Sequence, residues 1–414
     1  MFLRKKQYES AGSLSKLAWR RLLKDKLAVG SMVMIAVAVV ISVLGYLITP
    51  DHSPYANQQY LELTTKKPGF SVAMLKVRKN ETAQNTSMFH TLLYGKTSDY
   101  TFIPLSRYHF RGADIVVEEF TGSANDKGLE KTFSLADVVF PVSISRPGIK
   151  VVGNRLLFYD VDNRLQSQPI SELQQTIVQK NIVQKRFLLG TDRYGRDVLS
   201  QLMIGTRVSL SVGFISVFIS LVIGILLGAL AGFFRGWIDN LIMWFINVVW
   251  SIPTLLLVIA ITFALGKGFW QVFIAVGLTM WVEVARVVRG QMMSLREKEF
   301  VEAGKALGFR NFRIIFKHIL PNVMGPVIVI SAANFASAIL IEAGLSFLGI
   351  GVQPPMPSWG TMLKENYAYI ILHYAYLALL PGIAIMLMVL AFMLIGNGLR
   401  DALDIKTVDV KKHN

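Results

Sequence analysis

EFVEAGKALGFRNFRIIFKHILPN, residues 299–322, is a polar, basic stretch set between two long apolar runs, and the fold turns on it. Its pattern predicts a short helix over 299–307, a left-handed stop at Gly308, and a second, amphipathic helix capped by Asn311 and ended by Pro321. Glycine suits the stop because, lacking Cβ, it tolerates positive φ. Two short helices with a fixed turn, bearing Phe309, Phe312 and several basic residues, fit two roles. They can lie on anionic lipid as an interfacial pair, or dock as a rigid element into a partner's groove.

Outward from this stretch, apolar runs occupy residues 323–350 and 269–288, and further runs lie at 27–48, 208–234, 238–265 and 376–395. Each is about 20 residues or more, roughly 30 Å of helix, enough to cross a bilayer. In hydrocarbon every backbone N–H and C=O must be satisfied within the segment, so the runs must be helical. The expected fold is therefore an α-helical integral membrane protein with six transmembrane helices. Composition agrees: of 414 residues, 53% are hydrophobic and only 17% charged.

The net charge of +16 would fit nucleic-acid binding, but the positive-inside rule explains it without nucleic acid. Basic residues crowd beside the spans: Arg4, Lys5, Lys6, Lys16, Arg20, Arg21, Lys24 and Lys26 before the first, and Arg286, Arg289, Arg296, Lys298, Lys305, Arg310, Arg313 and Lys317 between the fourth and fifth. Both segments are expected in the cytoplasm, with a tail containing Arg400, Lys406, Lys411 and Lys412. The first span lies too far from the start for a signal peptide and reads as a retained anchor. With no cysteine in the chain, disulfides and thiolate chemistry are excluded.

Residues 49–186 are too long for a linker and are expected outside the membrane. The stretches 113–120, 135–142 and 155–161 are rich in β-branched and aromatic residues and read as strands, bounded by turn signals at Asn125-Asp126, Arg146-Pro147-Gly148 and Gly153-Asn154. A polar helix over 171–183 is expected to lead back to the membrane. The organisation is thus a basic segment 1–26, a first span 27–48, a β-rich insertion 49–186, a five-helix core 187–398 enclosing the loop 290–322, and a tail 399–414.

Within the spans, Glu342 is the conspicuous ionisable residue, which suits either a functional group or a structural bond to the following loop. Pro253, Pro326 and Pro381 introduce kinks. Gly224, Gly228, Gly232, Ala333 and Ala336 supply small-residue packing surfaces. Before the second span, FLLGTDRYGRDVLSQL (187–202) places Gly190, Thr191, Asp192, Gly195, Arg196 and Asp197 in a polar turn. That turn can cap the helix or contact substrate. A phosphate loop is absent: Gly95-Lys96-Thr97 imitates its end, but His90 stands where the first glycine is required.

The stretch at 299–322 resembles the EAA loop of ABC importer permeases: Glu302, Ala303, Gly308, Leu320 and Pro321 match, while Gly304 and His318 depart from the usual Ala and Ile. The turn at 187–202 resembles the LGTDxxGRDxxSR signature of the oligopeptide, dipeptide and nickel permease family, with Gln201 in place of the usual Arg. IPTLLL from Ile252, EAGLSFLGIGVQPPMPSWGTML over 342–363 and GNGLRDALD over 396–404 are similar to the C-type subunit. The resemblance covers residues 187–404 and implies a type I ABC importer permease, one half of a pathway for peptides or a similar small solute. It further implies coupling through Glu302, Ala303, Gly304, Gly308, Asn311, His318, Leu320 and Pro321. The implied partners are a second, B-type permease, two ATP-binding subunits that hold ATP and magnesium, and an extracytoplasmic solute-binding protein. This chain itself would bind no cofactor. Candidates for the pathway or its gate are Asp192, Gly195, Arg196, Asp197, Pro253 and Glu342. The competing reading is a membrane-anchored receptor or assembly factor acting through the insertion, which would have no use for the 299–321 element.

Overall fold

The computed structural model describes residues 14–82, 86–122, 127–145, 148–266 and 268–403. Two compact units emerge: one from Met1–Ser42, Gly205–Glu365 and Leu379–Asn414, the other from Val43–Ile204 and Asn366–Ala378. The turn signals at Asn125-Asp126 and Arg146-Pro147, and the tail residues Lys406, Lys411 and Lys412, lie outside the described residues.

Helix α1 (Leu14–Leu22) precedes α2 (Lys26–Ile48), whose start is capped by Asp25: its Oδ1 accepts the Leu27 N–H at 2.9 Å. The insertion carries β1 (Phe70–Arg78), α3 (Met88–Tyr94), β2 (Tyr100–Arg111), β3 (Asp114–Glu119), β4 (Glu130–Ser134), α4 (Leu135–Val139), β5 (Lys150–Val152), β6 (Arg155–Tyr159), β7 (Leu165–Pro169), α5 (Ile170–Thr176) and β8 (Ile182–Phe187). These form an antiparallel five-stranded sheet in the order β4-β3-β2-β1-β8 and a three-stranded sheet β5-β6-β7. Leu75, Ile115, Val117, Leu156 and Phe158 from the strands and Leu135, Val138 and Leu173 from the helices share one buried core.

The β-rich character expected of the insertion is therefore present, with two corrections. Residues 135–139 are helical: one turn buries Leu135, Ala136 and Val138 together, and that burial overrides the strand preference of their neighbours. The helix expected over 171–183 ends earlier, in a π-helical turn at Ile177–Asn181. Strand β8, pairing with β1, then leads onward. The turn at Gly153-Asn154 forms as expected, a two-residue hairpin loop with Gly153 at φ +59°.

The remaining helices are α6 (Val198–Phe234), α7 (Gly236–Trp250), α8 (Thr254–Leu265), α9 (Phe269–Arg296), α10 (Glu299–Ala306), α11 (Asn311–Arg313), α12 (Leu320–Phe347), α13 (Trp359–Asn366) and α14 (Tyr376–Leu403). Five helical runs are long and apolar enough to cross a membrane, or six if α7 and α8 together make one span. That third span is broken rather than continuous: α7 and α8 bend by 92° at Ser251–Pro253, where proline removes a backbone donor. The predicted span ends also move, since α6 begins at Val198 and α9 runs on to Arg296, placing Arg286 and Arg289 on the helix rather than in a loop.

Packing of α6 on α9 is set by glycine. A Cβ added at Gly224, Gly228 or Gly232 would lie 2.6 Å from Val284 Cβ, 2.5 Å from Ala285 O or 2.6 Å from Met292 Cβ. This four-residue repeat puts three glycines on one face, and the backbones approach closely there. Gly398 of α14 does the same against Ala28 of α2, at 2.8 Å. Gly228→Ala should therefore force α6 from α9 and lower the unfolding temperature in detergent by roughly 5 °C or more. Gly290→Ala, on α9 but facing open space, should leave it unchanged; equal behaviour of the two variants in a thermal melt would refute this packing account.

Candidate functional site

The segment following α9 folds as a helix-turn-helix. Helix α10 ends in paired closing bonds, Phe309 N–H to Gly304 O at 3.0 Å and Gly308 N–H to Lys305 O at 2.9 Å, with Gly308 at φ +75°. The left-handed stop is thus where the sequence places it. The second helix differs from expectation in two ways. Arg310, extended at φ −64° and ψ 146°, holds the N-cap position, and Asn311 is the first helical residue, with no side-chain cap. Nor does Pro321 end the helix: α11 passes through a π-helical turn at Ile314–Ile319 directly into α12. Proline is tolerated at the start of α12 because the widened turn supplies a different bonding register just before it.

The element's inner face is fixed. Val301, Ile314, Ile315 and Ile319 are buried in one cluster with Ala229 and Phe233 of α6 and Val288 and Met292 of α9. Arg296 donates to the Phe233 carbonyl, and Arg235 pairs with Glu297 at 2.5 Å, which holds the Glu297 carboxyl below its usual range. The outer face is open: Phe312 is 71% and Leu307 72% exposed, and the Phe312 and Phe316 rings pack at a tilt with centroids 4.3 Å apart. Glu302, Ala303 and Asn311 are also exposed, whereas Gly304 is buried. Gly304 and His318, the two departures from the usual pattern, meet at one ring. A Cβ on Gly304 would lie 3.4 Å from Phe309, and His318 stacks on Phe309 at 5.5 Å, with the Arg313 guanidinium 4.1 Å from the same ring.

In the other unit, residues 190–201 knot together with residues 51–66. Asp192 receives the Tyr194 and Arg196 N–H groups on Oδ1, both at 2.9 Å, and the Arg196 side chain on Oδ2 at 2.6 Å. Asp197 accepts the Ser200 N–H at 2.9 Å, and the Ser200 hydroxyl receives the Asp51 N–H at 3.0 Å. Gln201 donates to the Tyr55 and Ala56 carbonyls, so this position ties two strands of chain together. Asp192, Arg196 and Asp197 are buried, and burial pushes the Asp197 carboxyl up and the nearby Lys185 amine down. Gly195 sits at φ +72°, where a Cβ would come 1.7 Å from Tyr60 O.

Glu342, fully buried in α12, accepts from Ser346 at 2.7 Å and Ser209 of α6 at 3.4 Å, with Ser358 also bonded to it. Ser346 in turn receives the Val352 N–H at 3.2 Å, so the carboxyl organises the loop that follows the helix. Pro253 is the N-cap residue of α8, at the bend itself. Two polar features escaped the sequence reading. Asp239 of α7 grips Arg289 of α9 through two bonds of 2.6 and 2.7 Å. Glu283 lies midway along α9; its signal was a lone carboxylate inside an apolar run, the same signal that marked Glu342.

The fold and site together define a multi-pass membrane permease carrying a surface helix-turn-helix between two of its spans. Residues 224–408 match the binding-protein-dependent transport system inner membrane components, and residues 13–68 match the N-terminal transmembrane domain of oligopeptide transport permease C. The chain is 46% identical over 217 residues to the dipeptide transport system permease protein DppC of Alkalihalophilus pseudofirmus, covering 52% of this chain and 71% of that protein. It is 41% identical over 218 residues to the glutathione transport system permease protein GsiD of Pectobacterium atrosepticum, covering 53% and 72%. A solved inward-facing MetNI methionine ABC transporter is similar with TM-score 0.41 and 20% identity, covering 49% of this chain and 96% of that one. The chain belongs to the ABC importer permeases of the oligopeptide and dipeptide type, in the C-type branch.

The knot predicts that Gly195→Ala, which combines a disfavoured φ with a backbone overlap, loosens the insertion. Limited proteolysis of intact protein in detergent should then cleave residues 49–186 at least roughly tenfold faster than in wild type. Unchanged protection would remove the knot from its clamping role.

Proposed function

We propose that this chain is one half of the translocation pathway of an ATP-driven importer for peptides or a similar small solute, and that the 299–321 element docks into an ATP-binding subunit. The observation that carries the proposal is the two-faced build of that element: an inner face locked to α6 and α9, and an outer face of exposed Phe312, Phe316 and Leu307 beside basic side chains. An element fixed to two spans and open on its far side can pass a partner's motion to those spans. Residues Glu302, Ala303, Gly304, Gly308, Asn311, His318, Leu320 and Pro321 then form or shape the docking surface. A second, B-type permease completes the pathway, two ATP-binding subunits bind ATP and magnesium and carry out hydrolysis, and a solute-binding protein delivers cargo outside. Both termini and the docking element face the cytoplasm of a bacterial inner membrane, as the basic residues flanking these spans favour. Peptide cargo is supported by the dipeptide and glutathione permeases among the relatives.

Affinity purification from membranes in mild detergent should recover a second permease and ATP-binding subunits with ATPase activity. Glu302→Arg combined with Gly308→Pro should lose the ATPases, since proline cannot adopt the φ of +75° at residue 308. Phe312→Glu, at an exposed position that leaves the inner face intact, should reduce ATPase recovery roughly tenfold or more. Recovery of wild-type chain alone across several detergents would sink the proposal and favour a receptor acting through the insertion.

A further inference from the structure

A cavity of about 340 Å³ opens between the bend of α7 and α8, the middle of α9, and α12, lined by Trp250, Thr254, Thr279, Glu283 and Ser337 among others. Its lining mixes hydroxyls and an indole with apolar side chains, and Glu283 is exposed toward it. The single acid among them is Glu283, midway along a helix that is long and apolar enough to span. A carboxylate at that depth is costly unless it meets a cation or water.

The arginines that follow it on α9 are already engaged. Arg286 lies 3.5 Å from the centre of the Trp250 ring and donates to Asn247 at 3.1 Å. Arg289 is held by both oxygens of Asp239. Glu283 itself has no hydrogen-bond or ion-pair partner among the described residues. Glu342 makes the contrast: it is fully buried and bonded to serine hydroxyls, as an acid kept for structure would be. An exposed acid with no internal partner, facing an open cavity between three helical elements, suits a transient cation better than a permanent one.

We propose that Glu283 is a cargo-contacting residue whose carboxylate takes the ammonium group of the solute, for a peptide its N-terminal amine, as it passes the bend of α7 and α8. The inference rests on the importer reading above and names the residue that favours amino-bearing cargo. Trp250 and the hydroxyls of Thr254 and Ser337 supply the surroundings such a group needs once it leaves bulk water.

The chain contains no cysteine, so Glu283→Cys introduces a unique thiol on this subunit. The test uses the complex purified with its partner subunits and binding protein, reconstituted in vesicles with ATP on the cytoplasmic face and dialanine as probe. Glu283→Cys should lower the maximal rate of uptake roughly tenfold, the loss expected for removing one charged partner. Reaction of the thiol with sulfonatoethyl methanethiosulfonate, which restores a negative charge, should recover uptake. The trimethylammonium reagent should not, and wild-type complex treated in parallel controls for thiols on other subunits. Unaltered uptake in Glu283→Cys, a thiol that neither reagent reaches, or equal effects of both reagents would overturn the assignment. So would loss of the second permease from purified Glu283→Gln, because the carboxylate would then be a subunit contact. A wild-type complex that fails to take up dialanine overturns the peptide reading itself, an outcome visible before any variant is compared.

Discussion

The close approach of α6 to α9 across Gly224, Gly228 and Gly232 is the contact on which the membrane unit depends. Between apolar helices in lipid there is no hydrophobic gain from leaving water, so association rests on dispersion and close fit. Removing three side chains from one face brings backbone to within reach of Val284, Ala285 and Met292, and the buried cluster of Phe233, Val288, Ile314 and Ile319 adjoins that seam. The helix-turn-helix therefore inherits its rigidity from a helix contact made within the spans.

Polar groups follow a related logic in both units. In the membrane unit, Asp239 with Arg289 and Glu342 with its serine hydroxyls each join elements distant in sequence. In the other unit, Asp192 with Arg196 and Asp197 with Ser200 fix the turn itself, and the bonds from Asp51 N–H to Ser200 and from Gln201 to the Tyr55 and Ala56 carbonyls close the two ends of the insertion against each other. Buried polar groups of this kind contribute little net stability when paired, but leaving one unpaired is expensive, so they fix arrangement more than they add strength.

Phe309 illustrates how departures from a family pattern are absorbed. Glycine at 304 and histidine at 318 are separate oddities in a linear reading, yet both contact one aromatic ring, with Arg313 on the same ring. The turn geometry survives because the closing bonds after Gly308 are made by backbone groups, which neither change disturbs.

The apolar runs by themselves determined that this is a helical membrane protein, because nothing but helix or closed barrel can satisfy a backbone in hydrocarbon. The left-handed stop at Gly308, the glycine face of α6 and the β-rich insertion were legible for similar reasons, each depending on a local requirement that few residue types meet, whereas Ala333, also expected to pack, is exposed. Tertiary structure alone decided the rest. Residues 135–139 became helix because a shared core rewarded burying Leu135 and Val138 on one side. Pro321 lies within a continuing helix because a π turn before it absorbed the missing donor, and Pro253, flanked by no such turn, marks a bend of 92°. Which carboxylates are bonded and which face a cavity depends on neighbours tens to hundreds of residues away. Glu342 and Glu283 therefore looked alike in sequence and differ in the fold.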